Sequence, residues 1–290
     1  MEVTLNCPIG QLLQEPRQNN WIRPSPLQTS AKKTTERSRM CRMLACSGAT
    51  SNTDNILREF RQLAERGMAP PGESPGHKDG WGILCYDHNL PKELGRRPSN
   101  AFEDKLYINA LNQASRFRPN LLLAHLRKAS PGVTISLENT QPLYRGTWSF
   151  AHNGTIWSPL FMQNNGPSDS VIFFEKLLDT IRDRPASDNL NQRILRAVGK
   201  LRRLIIDHPD SERRTYTSIT FILSNGKTLW VLRDFNDSSD EEYYTMHCLQ
   251  SADCILFCQE KITPGDWESL DNGSMAIVDQ DRKLEIVACP

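Results

Sequence analysis

The stretch "ERSRMCRMLACSG" (Glu36–Gly48) marks the point at which the chain takes on the pattern of a folded domain. The segment "MCRMLACSG" is apolar and short, as is typical of a buried strand. Ahead of it, residues 1–39 are rich in Gln, Asn, Pro, Ser and Thr and show no sustained period of 2 or 3.6 residues. We therefore expect this first segment to be disordered, with a Met-Cys pair at its border with the domain.

The composition is that of an ordinary globular protein, with 290 residues, 38% hydrophobic and 24% charged. It supports one large domain or two small ones. The sequence contains neither a run of eighteen apolar residues nor an N-terminal apolar region of the secretory type, so we expect a cytoplasmic protein without a membrane partner. In such a protein the eight cysteines are better explained as reduced thiols than as a disulfide framework.

The charge is unevenly divided between the two parts of the chain. Residues 1–39 carry six basic and three acidic side chains, a net charge of +3, which leaves 29 basic and 31 acidic residues, a net of −2, for the remainder. The body of the protein therefore lacks the concentrated basic stripe that a nucleic-acid-binding protein needs to displace phosphate counterions.

Helices and strands alternate through the first two thirds of the domain. Asp54 is the predicted N-cap and Gly67 the predicted end of a first helix. Strands are predicted at "WGILCYD", "NLLLAHLRKAS" and "TWSFAHNG", a loop after the first of these, and helices over roughly 102–117, 168–184 and 190–208.

The last third has the pattern of antiparallel strands. In "TSITFILSNGKTLWVLRDF" two apolar runs are joined by Asn225 and Gly226, a pair that suits a type I′ hairpin turn. "SMAIVDQDRKLEIVA" has the same character, with its turn near Asp281 and Arg282. The order of elements predicts an α+β domain with helices packed outside one or two antiparallel sheets.

Four polar groups stand out, although each has a simple structural explanation when taken alone. Arg127 ends an apolar strand and can present a bidentate donor to a carboxylate, or merely lie at the sheet edge. Asn153 and Gly154 can offer a side-chain amide and an open backbone N–H to one oxygen, or form a turn. Asp169 lies at a helix start, where an N-cap or first-turn acid is common. The glycines of "HKDGWGI" fit a bend that leads into a strand.

Taken together and in order, these segments resemble the class II glutamine amidotransferases, which are N-terminal-nucleophile hydrolases, and more closely their single-domain YafJ/EgtC/DUG3-like branch. The matching elements are "MCRML", "HKDGWGI", "AHLRKAS", "ENTQPL", "AHNGTI", "SDS" and "ILFCQEKIT" followed by a tryptophan. The resemblance implies a four-layer α/β/β/α sandwich over residues 41–290. Residues 1–40 would then be a disordered leader or propeptide, or the product of a misassigned start.

The resemblance also implies roles for individual residues. Cys41 would attack the side-chain amide of glutamine or of another γ-glutamyl compound, with its own α-amino group as the base. Asn153 and Gly154 would form the oxyanion hole. Arg127 would bind the substrate α-carboxylate and Asp169 its α-ammonium group. The implied reaction needs no cofactor and no metal.

Several alternatives follow from the sequence. The protein could release ammonia to a separate synthase partner or act alone on γ-glutamyl compounds, and if the leader stays attached it could be a catalytically silent binding subunit. His125 or His152 could pair with a cysteine in a papain-like site. The segment "MHCLQSADCILFC" superficially resembles a zinc site, but alternation along a strand places Cys254 and Cys258 on one buried face. We expect His77 and His152 to be local hydrogen-bonding residues.

Overall fold

Two antiparallel sheets account for all the strands of the described residues. The structure, a computed structural model, describes residues 40–130, 132–162, 166–183, 187–207 and 215–290. The strands are β1 (Arg42–Ser47), β2 (Gly80–Asp87), β3 (Leu90–Arg97), β4 (Leu121–Arg127), β5 (Leu143–Arg145), β6 (Trp148–Asn153), β7 (Thr220–Ser224), β8 (Leu229–Arg233), β9 (His247–Gln250), β10 (Ile255–Cys258), β11 (Glu268–Ser269), β12 (Ser274–Val278) and β13 (Leu284–Ala288). One sheet has the order β11-β9-β10-β1-β4-β2-β3, and the other has the order β13-β12-β8-β7-β6-β5.

Helices cover the outer face of each sheet. They are α1 (Thr53–Arg66), α2 (Lys105–Phe117), α3 (Asp169–Arg182), α4 (Leu190–Ile206) and the short α5 (Glu241–Tyr244). Helices α1 and α2 share an apolar core with the seven-stranded sheet, and α3 and α4 share one with the six-stranded sheet. A third core lies between the sheets.

The alternation of side chains along β1 shows how the layers arise. Leu44 and Cys46 point into the core shared with α1 and α2, whereas Met43 and Ala45 point into the core between the sheets. Successive side chains of a strand face opposite sides, so a central strand that is apolar on both faces must be covered twice. The layers are α/β/β/α, and the predicted α+β sandwich is confirmed.

Three local predictions were wrong. Helix α1 begins at Thr53 with Asn52 as its N-cap, because the Asn52 carbonyl accepts the first helical hydrogen bond, from Ile56 N at 3.0 Å. Asp54 lies inside the first turn, where its carboxylate accepts hydrogen bonds from Arg58. The segment after β2 is strand β3 rather than a loop; it is an edge strand, largely exposed, so it lacks the alternation that would reveal it.

The third error concerns a turn type. The β7–β8 hairpin is confirmed, but only Gly226 has a positive φ, of 86°, whereas a type I′ turn needs a positive φ at both central residues. The Asn225 side chain instead accepts hydrogen bonds from the N–H groups of Lys227 and Thr228. The predicted hairpin turn near Arg282 is confirmed between β12 and β13.

The predicted disorder of the first segment lies outside the described residues, as do residues 184 and 208 at the predicted helix ends. In the part of the chain that the structure describes, no helix combines the length and apolarity that crossing a membrane requires.

Candidate active site

Cys41 lies just ahead of β1, where the two sheets come together. In the pairing of β1 with β4, Arg42 is opposite Leu126, so Cys41 falls beside Arg127. The Cys41 backbone nitrogen donates to Asn153 Oδ1 at 2.8 Å, and the Cys41 Sγ atom lies 3.8 Å from the Lys128 carbonyl oxygen. The fold therefore brings the predicted nucleophile into contact with Asn153, which is 112 residues away in the sequence.

The Cys41 thiol is held in its protonated form by its surroundings. Burial raises the pKa of this thiol, and a backbone hydrogen bond with Lys128 opposes the shift. The positive charges of Arg127 and Arg42 also lower the pKa, but burial is the larger effect. A nucleophile in this state needs a nearby base to accept its proton.

Asn153 is the last residue of strand β6, and Gly154 follows it. Asn153 is fully buried, and its Nδ2 group donates to the Tyr243 carbonyl over a long 3.4 Å. A Cβ atom on Gly154 would lie 1.9 Å from the carbonyl oxygen of Ser218, so no other residue fits at this position. Gly154 is thus required by close packing between the end of β6 and the segment before β7, not by a surface turn.

Arg127 is buried at the end of β4, with only 4% of its surface exposed. Its Nη2 group donates to the Thr134 carbonyl at 3.1 Å. Its Nη1 group is buried and has no hydrogen-bond partner among the described residues. A buried, unpaired guanidinium donor is costly unless a ligand satisfies it.

Asp169 is the first residue of helix α3, and Ser168 is the N-cap. Its Oδ2 atom accepts a hydrogen bond from Ile156 N at 2.7 Å. Burial raises the pKa of this carboxyl group, and the charges of His152 and Arg127 act in the opposite direction. Since the charges of both Arg127 and Asp169 also act on the Cys41 thiol, the structure brings the predicted residues into one site.

Two charged residues that the sequence did not lead us to predict hold Cys41 in place. Arg42 is completely buried and donates to the carbonyls of Cys41 and Met68, each at 2.8 Å. It also forms an ion pair with Glu260, which in turn accepts a hydrogen bond from Met68 N. In the sequence, Arg42 interrupts the apolar segment "MCRMLAC", and Glu260 follows the apolar run "ILFC" after one glutamine.

A second ion pair fixes the Pro/Gly-rich loop between α1 and β2 beside the site. Lys128 directly follows Arg127, is buried, and donates to the Ser74 carbonyl at 2.6 Å. Its Nζ atom also lies 3.2 Å from a carboxylate oxygen of Glu73. This loop is therefore tied to the strand end next to Cys41.

The histidines are not arranged as catalytic bases for a cysteine. His152 is hydrogen-bonded to Ser170 Oγ at 2.9 Å and to the Ser218 carbonyl at 3.2 Å, as predicted for a local hydrogen-bonding residue. His125 is fully buried, and burial lowers its pKa to about 3. His77 is also buried, and burial lowers its pKa well below the usual value. The papain-like alternative is therefore not supported by the geometry.

The cysteine-rich segment near the C-terminus is part of a core. Cys254 and Cys258 are both buried, in the core that the seven-stranded sheet shares with α1 and α2, as the alternation predicted. Within the described ranges, no group of three or more His, Cys, Asp or Glu residues could hold a metal ion.

A cavity of about 830 Å³ lies at the far end of the strands. It is lined by Ser47 at the end of β1 and Leu121 at the start of β4, whereas Cys41 and Arg127 mark the opposite ends of these two strands. The cavity is therefore separate from the site around Cys41.

Comparison with known proteins identifies the family. A sequence model of the class-II glutamine amidotransferases matches residues 40–252. The chain belongs to the class II glutamine amidotransferases. The matched segment begins one residue before Cys41 and includes Arg127, Asn153 and Asp169.

Named relatives of this amidotransferase chain are similar over part of their length. A gamma-glutamyl-hercynylcysteine sulfoxide hydrolase from Mycobacterium tuberculosis is 30% identical over 120 residues, which is 40% of this chain and 50% of the relative. YafJ from Escherichia coli, which carries the name of a glutamine amidotransferase, is 35% identical over 121 residues, 40% of this chain and 44% of the relative. The chain spans about half the length of the curated relatives it matches.

Solved structures show the same fold for this amidotransferase. A glutamine aminotransferase class-II domain protein from Silicibacter pomeroyi has a TM-score of 0.55 at 18% identity, covering 86% of this chain and 99% of that one. Glutamine phosphoribosylpyrophosphate amidotransferase from Bacillus subtilis has a TM-score of 0.57 at 14% identity, covering 86% of this chain and 49% of that one.

Proposed function

We propose that the protein is a cysteine amidohydrolase that cleaves the γ-glutamyl amide of glutamine or of a related γ-glutamyl compound. Cys41 is the nucleophile, and the products are glutamate and ammonia or an amine. The observation that carries the proposal is the hydrogen bond from Cys41 N to Asn153 Oδ1, 2.8 Å long, beside a buried Arg127 whose Nη1 donor has no hydrogen-bond partner among the described residues. Family membership and the names of the relatives support the same chemistry.

The proposed base is the α-amino group of Cys41, which exists only when Cys41 is the first residue. The protonated thiol transfers its proton to this amine as Sγ attacks the γ-carbonyl carbon, and the amine then gives the proton to the leaving nitrogen. Water hydrolyses the resulting thioester. An α-amino group has a reference pKa of about 7.7–8.0, so a useful fraction is neutral near pH 7.

This chemistry requires removal of residues 1–40. Translation can begin at Met40, which is then trimmed, or the bond between Met40 and Cys41 can be cut in a longer precursor. Either route makes residues 41–290 the active domain. We place the enzyme in the cytoplasm as part of the same proposal, which agrees with the free thiols of the seven cysteines in the described part of the chain.

Arg127 and Asp169 are the proposed receptors for the charged groups of the γ-glutamyl head. The Nη1 donor of Arg127 would bind the α-carboxylate, which would satisfy a buried donor that lacks a partner within the described ranges. An α-ammonium group near Asp169 would stabilise the carboxylate form that burial disfavours. These two contacts select a free glutamyl head over an ordinary peptide.

Asn153 and the Gly154 N–H are the proposed oxyanion hole. Since Asn153 uses Oδ1 to accept from Cys41, its Nδ2 group remains a donor on the same side chain, and its bond to Tyr243 is long at 3.4 Å. Oxyanion donors stabilise charge that develops only in the transition state.

The test uses protein with a verified N-terminus. Intact mass and N-terminal sequencing identify chains that begin at Cys41, and glutamate release is then measured with glutamine and a set of γ-glutamyl amides. We expect turnover that Cys41→Ala abolishes, whereas the control Cys289→Ala, which removes a half-buried thiol outside the proposed site, keeps it. Activity in a chain that retains Met1, or no activity in any chain that begins at Cys41, would refute the mechanism.

A further inference from the structure

The side chain of Met40 occupies an aromatic pocket next to the nucleophile. It is 98% buried, in a cluster with Phe235, Tyr243 and Tyr244. The proposed activation removes Met40, and it therefore empties a preformed apolar pocket one residue from the reacting sulfur. The inference below rests on the proposed function.

The pocket is connected directly to the proposed oxyanion hole. The Tyr243 carbonyl accepts the hydrogen bond from Asn153 Nδ2, and Cys41 N is bonded to the other end of the same Asn153 amide. The γ-glutamyl head would be bound by Arg127 and Asp169, neither of which belongs to the cluster around Met40.

Phe235, one wall of the pocket, is positioned by contacts that do not involve Met40. The Asn272 side chain donates to the Phe235 carbonyl and accepts from its N–H, both at 3.0 Å. The Phe235 ring stacks on Tyr244, with 6.5 Å between ring centroids, and the Arg233 guanidinium lies 5.0 Å from the Phe235 ring centre. A pocket so fixed does not need to reorganise to bind a ligand, which favours affinity.

We propose that this aromatic pocket is the specificity site for the leaving amine, and that the enzyme prefers γ-glutamyl amides whose amine carries an unbranched apolar side chain of about the size of methionine. In the reaction the α-amine of Cys41 gives its proton to the leaving nitrogen, so that nitrogen must lie beside the position of the present Cys41 N. The substituent of the leaving nitrogen therefore starts where the Met40 backbone now is. From that position the substituent can enter the pocket that the Met40 side chain now occupies.

The chemistry of the pocket also indicates which side chains of the leaving amine it disfavours. Three aromatic rings bury apolar groups and suit a thioether in particular. Burying the ammonium group of a lysine-like side chain against these rings would cost desolvation energy, and the charged neighbour of the pocket, Arg233, is already paired with Glu241. Glutamine, whose leaving group is ammonia, leaves the pocket empty.

The first experiment compares leaving groups on protein translated from Met40 and verified to begin at Cys41. All the described helices and strands lie in this part of the chain. The substrates are glutamine and the γ-glutamyl derivatives of glycine, alanine, methionine and lysine. Filling an apolar pocket by a methylene-sized group typically changes kcat/KM by roughly 10- to 200-fold. We expect γ-glutamyl-methionine to exceed γ-glutamyl-glycine by at least about tenfold, and γ-glutamyl-lysine to be a poor substrate. Equal values for glycine, methionine and lysine would overturn the inference.

The second experiment removes part of the pocket with Phe235→Ala and, as a milder change that preserves an apolar core, Phe235→Leu. The readout is the ratio of kcat/KM for γ-glutamyl-methionine to that for glutamine, which is independent of the fraction of protein that is folded. We expect this ratio to fall by about tenfold in the Phe235 variants. It should not change in the control Phe117→Ala, an exposed aromatic residue at the far cavity. An unchanged ratio in Phe235→Leu would refute the assignment.

The experiments distinguish failure of the specificity pocket from failure of the amidohydrolase function. Turnover of all the amides with a flat profile would remove the specificity pocket and leave the amidohydrolase function intact. No turnover of any substrate by Cys41-terminal protein would remove both.

Discussion

Replacement of Arg42 by methionine is expected to destabilise the fold strongly, because Arg42 is a fully buried charge with three polar contacts. The substitution leaves the Glu260 carboxylate, whose side chain is only 18% exposed, without its ion-pair partner. It also removes the donor to the carbonyls of Cys41 and Met68. Breaking a buried ion pair from one side costs about 3–5 kcal/mol.

The assay is equilibrium unfolding in urea together with thermal melting. For a domain of this size, a loss of 1 kcal/mol lowers Tm by roughly 2–4 °C, so we expect a decrease of roughly 6–20 °C. The control is Arg66→Met, which removes an ion pair with Glu59 that is 2.9 Å long but 63% and 38% exposed. An exposed pair of this kind contributes at most about 1 kcal/mol.

The double variant Arg42→Met/Glu260→Met distinguishes a true ion pair from two independent sites. Replacing both charges with apolar side chains removes the unpaired carboxylate, so the double variant should be about 2–3 kcal/mol more stable than the sum of the two single losses predicts. The reasoning would be refuted if Arg42→Met lost no more stability than Arg66→Met. Strict additivity of the two single changes would refute it as well.

Three further predictions follow from the site and its packing. Asn153→Ala should lower kcat by roughly 10²–10³-fold, whereas Arg127→Ala should mainly raise KM. Steady-state kinetics that show only a KM change for Asn153→Ala would contradict its role in the transition state. Gly154→Ala should reduce both Tm and kcat, because its Cβ would lie 1.9 Å from the Ser218 carbonyl oxygen; a variant as stable and active as the parent would show that this contact is absent. Burial lowers the pKa of His125 from 6.5 to about 3, so the free energy of unfolding should decrease by about 1.4 kcal/mol per pH unit as the pH falls from 6.5 toward 3, because only the unfolded chain then binds this proton. Urea unfolding between pH 7 and 4 should show a smaller decrease of the free energy of unfolding for His125→Phe than for the parent. The same pH dependence in both would argue against a neutral buried histidine.

Most of the layers could be predicted because each carries its own local signal. Strand β4 is an apolar run, and the helices have apolar faces at a spacing of three and four residues. The edge strand β3 was missed because it is largely exposed to solvent, so its side chains need not form an apolar face. The turn type at Asn225 could not be predicted either, because side-chain hydrogen bonds there outweigh the usual preference of an Asn-Gly pair for a type I′ turn.

The candidate site was predictable only where a residue type is itself informative. A cysteine after methionine, an Asn-Gly pair at a strand end and a helix-start aspartate each suggest chemistry, and their order suggested one family. The Arg42–Glu260 pair joins residues 218 positions apart. No local period encodes such a contact, since pairing between distant strands is decided by the fold. The Met40 pocket was hidden for the same reason, because its aromatic residues come from the segments after β8.

The position of the site between the sheets links its chemistry to the whole fold. Cys41 precedes a strand of the seven-stranded sheet, whereas Asn153 ends a strand of the six-stranded sheet, and the hydrogen bond between them crosses the interface. In the proposed activation the peptide nitrogen of Cys41 becomes an amine, which would keep an N–H to donate to Asn153 Oδ1 and would gain a lone pair to accept the thiol proton. Activation therefore requires no new contact across the interface. It requires only that the core between the sheets already holds these two residues together, so the proposed reaction depends on the sheet packing as much as on the residues that touch the substrate.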